Sequence, residues 1–313
     1  MRVVALAGGV GAGKFLRGLV RAVSPEDVTV VVNTGDDIEV HGLHVSPDLD
    51  SVMYWLAGVM DRERGWGRAG ETFHSTEELR RLGAKGAWFG LGDLDLATHL
   101  LRTSWLGAGH GLAQATRDLC ARFGVKATLL PMTEDPAPTG VQIVDGDGEG
   151  LDIHFQEYWV ERHASDEVKA VRYGGTSARP GPGVMEAIEA ADTVVLPPSN
   201  PIASIAPILA VPGIREAVAA RRNRVVGVSG IVGGAPLAGM ADKLLPVAGV
   251  DVSAAGVAGY YQDLLAAWVI DRTDQALASR VEELGIRVGV ADTIMANDLR
   301  AEALARYALA LLA

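Results

Sequence analysis

The stretch Val3–Lys14, VVALAGGVGAGK, decides the fold of this chain. It opens with apolar residues of strand character, continues with glycines at positions 8, 9, 11 and 13, and leads into an apolar pattern of helical spacing from Phe15. This order predicts a strand, a glycine loop and a helix. Glycines let backbone N–H groups approach a ligand, and a helix N-terminus attracts negative charge, so the stretch predicts a phosphate-binding loop. A tight structural turn is the alternative interpretation.

Two familiar nucleotide-binding motifs do not fit this stretch. The P-loop pattern is met by Gly8, Gly13 and Lys14, but Phe15 stands where a hydroxyl side chain should hold Mg²⁺. The dinucleotide pattern G-x-G-x-x-G starts at Gly9 and Gly11, but Lys14 replaces its third glycine. These departures argue against an ordinary P-loop NTPase and against a dehydrogenase.

Composition narrows the class of protein further. The chain has 313 residues, 49% of them hydrophobic, and a net charge of −11, which argues against nucleic acid or an anionic membrane as the main partner. Its one cysteine, Cys120, lies in a helical pattern and suits the core of a protein in a reducing compartment. We see no signal peptide and no apolar run of the ~20 residues that a membrane span needs, so we expect a cytoplasmic protein.

Strand patterns followed by polar loops recur along the chain. The apolar runs 28–32, 193–196 and 225–228 are typical of strands buried on both faces of a parallel sheet. They predict an α/β fold: a Rossmann-like, mostly parallel sheet in three layers, formed by residues 1–52 and 125–313. Residues 53–124 show helical patterns, with a capping box at 75–78, and predict a helical insertion that forms a lid. A hairpin is predicted for 141–144 and 151–155, with its turn at 145–148.

Four aspartates follow the second strand within a short stretch: Asp36, Asp37, Asp48 and Asp50. Ligands bind at this end of parallel strands, where Asn33 and Thr34 also lie. Such a density of like charge favours a bound cation, and Mg²⁺ is the ion that we predict. Turn-forming residues, with Asp50 as the N-cap of a helix starting at Ser51, are the alternative.

Two further loops have the same design as the glycine stretch. Ser199 and Asn200 follow the strand at 193–196 and predict a second phosphate or nucleotide contact, with a proline-fixed turn as the alternative. The third loop follows the strand at 225–228 and contains Gly233 and Gly234.

Eight blocks of sequence, in this order, resemble the 2-phospho-L-lactate transferase family of deazaflavin coenzyme F-420 biosynthesis. They are GGVGAGKFLRGL, VVNTGDD, HVSPDLD, WFGLGDLDLATH, HFQEYWV, PPSNPIASIAPIL, SGIVGGAPLAGMAD and GVADTIM. The resemblance covers nearly the whole chain. The stretches ETFHSTEEL and HFQEYWV are most similar to the bacterial branch, which uses a phosphoenolpyruvyl donor.

The resemblance implies a transferase acting at phosphorus. The donor would be lactyl-2-diphospho-5′-guanosine or its enolpyruvyl counterpart, the acceptor would be the terminal ribityl hydroxyl of the deazaflavin Fo, and GMP would leave. Mg²⁺ is the implied cofactor, and a homodimer is the implied assembly.

The resemblance also implies roles for individual residues. Asp36, Asp37 and Asp48 would lie near the metal. Asp50 would contact the acceptor hydroxyl and is a candidate for the base that removes its proton. Asp37 is a second catalytic candidate. The expected substrate-binding residues are Gly9, Gly11, Gly13, Lys14, Asn33, Thr34, Asp50, Asp93, Thr98, His99, Ser199, Asn200 and Gly234.

One position departs from the family pattern, and one other class of protein competes. The family usually has arginine or lysine where this chain has Leu94. The cation that would bind the acceptor or the transferred carboxylate is then missing, unless Arg102 or Lys85 substitutes for it. The competing class is a non-catalytic, nucleotide-sugar-binding regulator on a related fold. Such regulators usually carry DDGGSSG-type and PPGD segments, whereas this chain has Asn33–Asp37 and Pro47–Asp50 at those places.

Overall fold

The computed structural model describes residues 1–144 and 150–313. Its strands are β1 (Val3–Ala7), β2 (Val28–Val32), β3 (Ile38–Val40), β4 (Leu43–Val45), β5 (Thr128–Pro131), β6 (Thr139–Val144), β7 (Gly150–His154), β8 (Val168–Tyr173), β9 (Thr193–Leu196), β10 (Val225–Val228), β11 (Ile231–Val232), β12 (Ala235–Pro236), β13 (Ala267–Asp271) and β14 (Arg287–Ala291). Its α-helices are α1 (Gly9–Ala22), α2 (Pro47–Ala57), α3 (His74–Arg81), α4 (Asp93–Gly107), α5 (Leu112–Arg122), α6 (Val184–Ala190), α7 (Ala206–Ala210), α8 (Ile214–Ala220), α9 (Ala241–Leu244), α10 (Ala254–Tyr260), α11 (Ala278–Glu282) and α12 (Asp298–Ala310).

A seven-stranded parallel sheet forms the centre of the protein. Its strand order is β14-β13-β10-β9-β1-β2-β5. Strand β1 pairs with β2 on one side and with β9 on the other, so the chain reverses its direction of winding between β1 and β9. This is the doubly wound arrangement, and it confirms the predicted α/β fold with a Rossmann-like parallel sheet.

Alternate side chains of β1 belong to two separate cores, which gives the molecule three layers. Val4 and Leu6 pack into one core together with Ile188 of α6 and Val218 of α8. Val3, Ala5 and Ala7 pack into the other core, which contains residues of α1, α2, α5 and α12. All five residues of β1 are buried, as expected for a central strand covered on both faces.

The segment between β2 and β5 carries four helices and the small hairpin of β3 and β4. Within residues 53–124 the described chain forms no strand of the central sheet, only an isolated bridge between Met60 and Arg68. The domain boundaries and the lid stay predictions. Further along, β6 and β7 form the predicted antiparallel hairpin, although the predicted turn at 145–148 lies outside the described residues.

Three local predictions are wrong. Helix α1 begins at Gly9, so Gly9, Gly11 and Gly13 belong to the helix and do not form a loop before it. Helix α2 begins at Pro47, which puts Asp50 inside its first turn and not at an N-cap before Ser51. The capping box at 75–78 is absent as well, because α3 begins at His74 without a side-chain cap.

In the part of the chain that the structure describes, no single helix is long and apolar enough to cross a membrane. The segments Pro201–Ala210 and Ile214–Ala220 meet that criterion only together, and they are bent by 94° relative to each other.

Candidate functional site

The candidate site lies at the carboxyl ends of β1, β2 and β9, where the direction of winding reverses. Gly8 follows β1, and its backbone N–H points to the hydroxyl oxygen of Ser199, which follows β9, at 3.5 Å. Open α/β sheets bind ligands in the crevice at this point. The fold therefore brings two of the three predicted loops together.

The glycines of the opening stretch leave room for groups of the protein itself. A Cβ placed on Gly8 would lie 2.2 Å from Asp48 Oδ2, one on Gly11 would lie 2.2 Å from the Pro198 carbonyl oxygen, and one on Gly13 would lie 2.2 Å from Trp55 Cδ1. The backbone N–H of Gly9 also supports the Asp48 carboxylate. A carboxylate, not an open cradle, therefore lies at the N-terminus of α1.

The Asn33 side chain links two buried carboxylates. Its amide nitrogen Nδ2 lies 2.9 Å from Asp36 Oδ1 and 2.9 Å from Asp48 Oδ2. Gln156, which follows β7, donates from Nε2 to Asp36 Oδ2 at 2.9 Å. Asn33, Asp36, Asp37, Asp48 and Gln156 are called the acidic cluster below.

Burial sets the protonation of the acidic cluster. It raises the pKa of Asp48 to about 7, against the hydrogen bonds from Asn33 and Gly9. It raises the pKa of Asp36 well above its usual range, and the charge of Asp48 adds to this effect. It also raises the pKa of Asp37, partly offset by the hydrogen bond with His44. Like charges in a low-dielectric site favour the protonated form unless a cation is present.

Asp37 is held from the side of the β3–β4 hairpin. Its Oδ2 accepts from the Ser46 hydroxyl at 2.9 Å and lies 3.0 Å from His44 Nε2. Its Oδ1 is buried and has no hydrogen-bond partner. One oxygen atom of Asp37 therefore remains available to a ligand.

The acidic cluster fits a magnesium ion held partly by a substrate. The described residues contain no group of three or more His, Cys, Asp or Glu side chains that could hold a metal by themselves. Mg²⁺ usually binds through one or two carboxylates together with waters and substrate phosphates, so it does not require such a group. The raised pKa values and the unpartnered oxygen of Asp37 agree with this mode of binding.

A second polar cluster lies between α2 and α4. Its members, called the α2–α4 cluster below, are all 8% exposed or less: Asp50, Tyr54, Asp95, Thr98, His99 and Arg102. Asp50 and Tyr54 lie four residues apart on one face of α2, and the other four follow the spacing of one face of α4. The helical spacing of polar residues on α2 and on α4 therefore brings six side chains together in one buried polar layer.

An ion pair forms the centre of the α2–α4 cluster. Arg102 donates from Nη1 to Asp50 Oδ2 at 3.0 Å and from Nη2 to Asp50 Oδ1. Arg102 Nη1 also lies 3.4 Å from His99 Nδ1. Although burial opposes the charge, Asp50 raises the pKa of Arg102 further above its usual value. The predicted acceptor-binding carboxylate is thus engaged on both of its oxygen atoms.

Four of the other predicted site residues have partners within the protein. Asp93 accepts from the backbone N–H groups of His74 and Ser75, each at 3.0 Å, and so fixes the start of α3. Asn200 accepts from the N–H groups of Ile202 and Ala203 as the cap of the turn Pro201–Ile205. The Lys14 ammonium lies 6.0 Å from the centre of the Trp55 ring. Thr98 belongs to the α2–α4 cluster described above.

Two predicted residues remain open to a ligand. Gly234 is exposed, with φ +82°, in the connection between β11 and β12. Thr34 is buried, and its hydroxyl has no hydrogen-bond partner.

The sequence prediction missed three members of these clusters. Gln156 lies in the block HFQEYWV, in which polar residues stand among aromatic ones. Tyr54 and Asp95 could have been found from their spacing, since each lies four residues from a selected residue on the same helix, Asp50 and His99.

Comparison with known proteins finds a family model and relatives that match nearly the whole chain. The model of the family described as 2-phospho-L-lactate transferase CofD matches residues 3–306. A phosphoenolpyruvate transferase of Streptomyces griseus is 52% identical, over 99% of this chain and 98% of its own. A 2-phospho-L-lactate transferase of Methanosarcina acetivorans is 40% identical, over 99% and 98% of the two chains.

A solved structure supports the fold alone. A UPF0052 family protein of Bacillus halodurans matches with a TM-score of 0.61 and 18% identity, over 99% of this chain and 100% of that chain. Because the relatives of high identity are named as transferases, the alternative of a non-catalytic regulator is not favoured. The chain belongs to the 2-phospho-L-lactate transferase (CofD) family.

Proposed function

We propose that this protein transfers a phosphoenolpyruvyl or phospholactyl group from a guanosine diphosphate-linked donor to the ribityl hydroxyl of the deazaflavin Fo, with release of GMP. The observation that supports it most directly is the acidic cluster at the switch point of the sheet, in a chain of this family. Relatives named phosphoenolpyruvate transferase reach 53% identity, against 40% for the relative named after phospholactate. The enolpyruvyl group is therefore our first choice of donor.

The reaction forms one bond and breaks one bond at the same phosphorus atom. The acceptor hydroxyl oxygen attacks the phosphorus that carries the enolpyruvyl or lactyl group, the bond from this phosphorus to the GMP oxygen breaks, and the hydroxyl proton leaves. Transfers of this kind depend chiefly on positioning and on stabilisation of charge. The protein therefore needs cationic or donor groups at the diphosphate and a carboxylate at the acceptor hydroxyl.

The acidic cluster supports the diphosphate side in this proposal. Mg²⁺ would lie near Asp36, Asp37 and Asp48, held by one or two of these carboxylates together with the substrate diphosphate, whose charge it would neutralise when bound. Asn33 keeps Asp36 and Asp48 together through its amide nitrogen. The remaining residues proposed to contact the donor are Gly9, Gly11, Gly13, Lys14, Thr34, Ser199, Asn200 and Gly234.

The α2–α4 cluster supports the acceptor side. We place the acceptor hydroxyl at Asp50, whose carboxylate is oriented by Arg102, with His99, Thr98 and Asp93 on the same helix. As a base, Asp50 would take up the proton of the hydroxyl on an oxygen that Arg102 now occupies. We also propose a homodimer in the cytoplasm, where the buried free thiol of Cys120 stays reduced.

Incubation with Fo, Mg²⁺ and each donor in turn tests the proposal. Mass spectrometry should detect the phosphoester of Fo and free GMP with at least one donor. Absence of product with every donor, together with no binding of Fo by fluorescence, would contradict the proposed function.

A pair of variants separates the acceptor side from the donor side. Asp50→Asn should abolish transfer but keep binding of GDP. The matched control is Asp166→Asn, which removes a carboxylate that is also bidentate to an arginine, Arg162, at 2.8 and 2.7 Å. The control variant Asp166→Asn should transfer at the wild-type rate. Loss of GDP binding in Asp50→Asn would contradict the acceptor role and would mean that Asp50 serves the donor side.

A further inference from the structure

Asp95 is a buried carboxylate to which the proposed mechanism gives no role. It lies on α4 and is 8% exposed. The Tyr54 hydroxyl donates to its Oδ1 at 2.5 Å, and the Tyr54 oxygen lies 2.8 Å from Thr98 Oγ1. Its other oxygen, Oδ2, lies 3.2 Å from His99 Nε2, a buried nitrogen that makes no hydrogen bond of regular geometry within the described residues. A buried carboxylate beside an imidazole fixes which ring nitrogen carries the proton.

The position of Arg102 determines the tautomer of His99. A guanidinium group can only donate hydrogen bonds, so the Nδ1 atom that lies 3.4 Å from Arg102 Nη1 must present its lone pair. The proton of a neutral His99 is then on Nε2, facing Asp95. Burial opposes ionisation of Asp95, but the contacts with His99 and Tyr54 outweigh it and lower the pKa of this carboxyl group.

Contacts therefore run in sequence from Asp95 to His99, from His99 to Arg102, and from Arg102 to Asp50. We infer that Asp95 is a positioning residue, which fixes the His99 tautomer and thereby the Arg102 guanidinium that orients the Asp50 carboxylate. Its effect on catalysis rests on the proposed function, in which Asp50 contacts the acceptor hydroxyl. Its effect on the tautomer does not.

The substitution Asp95→Asn gives a definite expectation because Tyr54 fixes the orientation of the new amide. The Tyr54 hydroxyl donates to Oδ1, so the NH₂ group of the new side chain takes the place of Oδ2 and faces His99 Nε2. His99 must then accept at Nε2 and carry its proton on Nδ1. The Nδ1–H group faces Arg102, and the contact that holds the guanidinium is lost.

The double variant Tyr54→Phe/Asp95→Asn is the rescue. Without the Tyr54 hydroxyl, the amide introduced at position 95 is free to turn its oxygen towards His99 Nε2. The Nε2–H tautomer should return, and with it the contact between Nδ1 and Arg102. A residue that only stabilises the fold would not be rescued by a second loss of a hydrogen bond.

The tautomer is read by ¹⁵N NMR of histidine-labelled protein without substrate. The chain has seven histidines, and the His99 signals are those missing from His99→Gln. We expect the Nε2–H pattern in the wild type and in the double variant, and the Nδ1–H pattern in Asp95→Asn. Asp166→Asn, which removes a partner of Arg162 four residues away along the chain, should leave the His99 signals unchanged.

Kinetics give the second readout. We expect kcat of Asp95→Asn to fall by about 10- to 100-fold, with a much smaller change in KM for the donor, and to recover in the double variant. An unchanged tautomer in Asp95→Asn, a kcat close to wild type, or a double variant no better than the single one would overturn the inference. If Asp95→Asn does not fold, His99→Leu must show the same loss of kcat and His99→Gln, which keeps a donor and an acceptor, must retain more.

Failure of the proposed function would look different. In that case the wild type itself would show no transfer with either donor, while the NMR spectra would still decide whether Asp95 sets the tautomer of His99.

Discussion

Asp50 and Arg102 lie 52 residues apart in the chain and form a bidentate ion pair in which both side chains are buried. Removing one partner of such a pair leaves an uncompensated charge in a low-dielectric environment. The pair joins α2, which also carries Asp48, to α4.

Replacing Arg102 by methionine should therefore destabilise the protein strongly. We expect a loss of about 3–5 kcal/mol in the free energy of unfolding, measured with urea, because Asp50 would remain buried without its partner. The control is Arg172→Met, which breaks the pair with Asp152 in which both side chains are more than half exposed. That loss should be below about 1 kcal/mol, and equal losses in the two variants would contradict the assignment of Asp50 and Arg102 as a buried pair.

Asp48→Asn should stabilise the substrate-free protein at alkaline pH. The pKa of Asp48 is raised to about 7, so its protonated form contributes stability that is complete below the unfolded pKa and is lost as the pH rises through 7. At pH 8 the variant should gain on the order of 1–3 kcal/mol, and at pH 4 the two proteins should be nearly equal. Thermal unfolding at both pH values measures this difference.

The control for Asp48→Asn has the opposite sign. The hydrogen bonds from Arg162 lower the pKa of Asp166, so Asp166→Asn should lose stability at pH 8. If Asp48→Asn also lost stability there, burial would not be the dominant influence on the pKa of Asp48.

Binding of Mg²⁺ should weaken as the pH falls through 7. In the proposed site the metal would bind ionised carboxylates, and protons would compete for Asp48 and Asp36, whose pKa values burial raises. Titration calorimetry with Mg²⁺ and GDP at pH 6, 7 and 8 measures the affinity, and we expect a loss of about tenfold between pH 8 and 6. A constant affinity over this range would show that the metal binds elsewhere.

Gly13→Ala should destabilise the packing of α1 on α2. The new Cβ would lie 2.2 Å from Trp55 Cδ1 in a buried contact, so the indole ring has to move. We expect a loss of about 1–3 kcal/mol by urea unfolding. Gly107, the last residue of α4, is the matched control because nothing lies within 4 Å of its Cβ position, and Gly107→Ala should be neutral or slightly stabilising.

The sequence was sufficient for features that depend on local patterns. Mainly apolar runs such as 28–32 and 193–196 predicted buried parallel strands because a strand covered on both faces is built chiefly from apolar side chains. Glycine and polar loops after those strands predicted the edge of the sheet where the candidate site lies. The family was recognisable because eight blocks recur in a fixed order.

Contacts between distant segments were not predictable in this way. Nothing local to Asp50 reveals its partner Arg102. The local pattern also allowed Asp50 to be an N-cap, although Asp50 lies in the first turn of α2. Nothing local to Gly13 reveals Trp55, whose indole ring lies where a Cβ of residue 13 would be. The capping box at 75–78 fails because Thr76 donates its hydroxyl to the Leu91 carbonyl and Asp93, from another helix, binds the first N–H groups of α3.

Asp48 and Asp50 lie in the same turn of α2 but belong to different clusters. Asp48, in the acidic cluster, accepts from Asn33, and Asp50, in the α2–α4 cluster, pairs with Arg102. Because the residues of one helical turn move together, a ligand that displaces Asp48 should also displace Asp50. Occupation of the acidic cluster and occupation of the α2–α4 cluster are then thermodynamically linked, and the linkage is reciprocal. The affinity for the acceptor should therefore change when the donor is present. The affinity for the donor should change by the same factor when the acceptor is present.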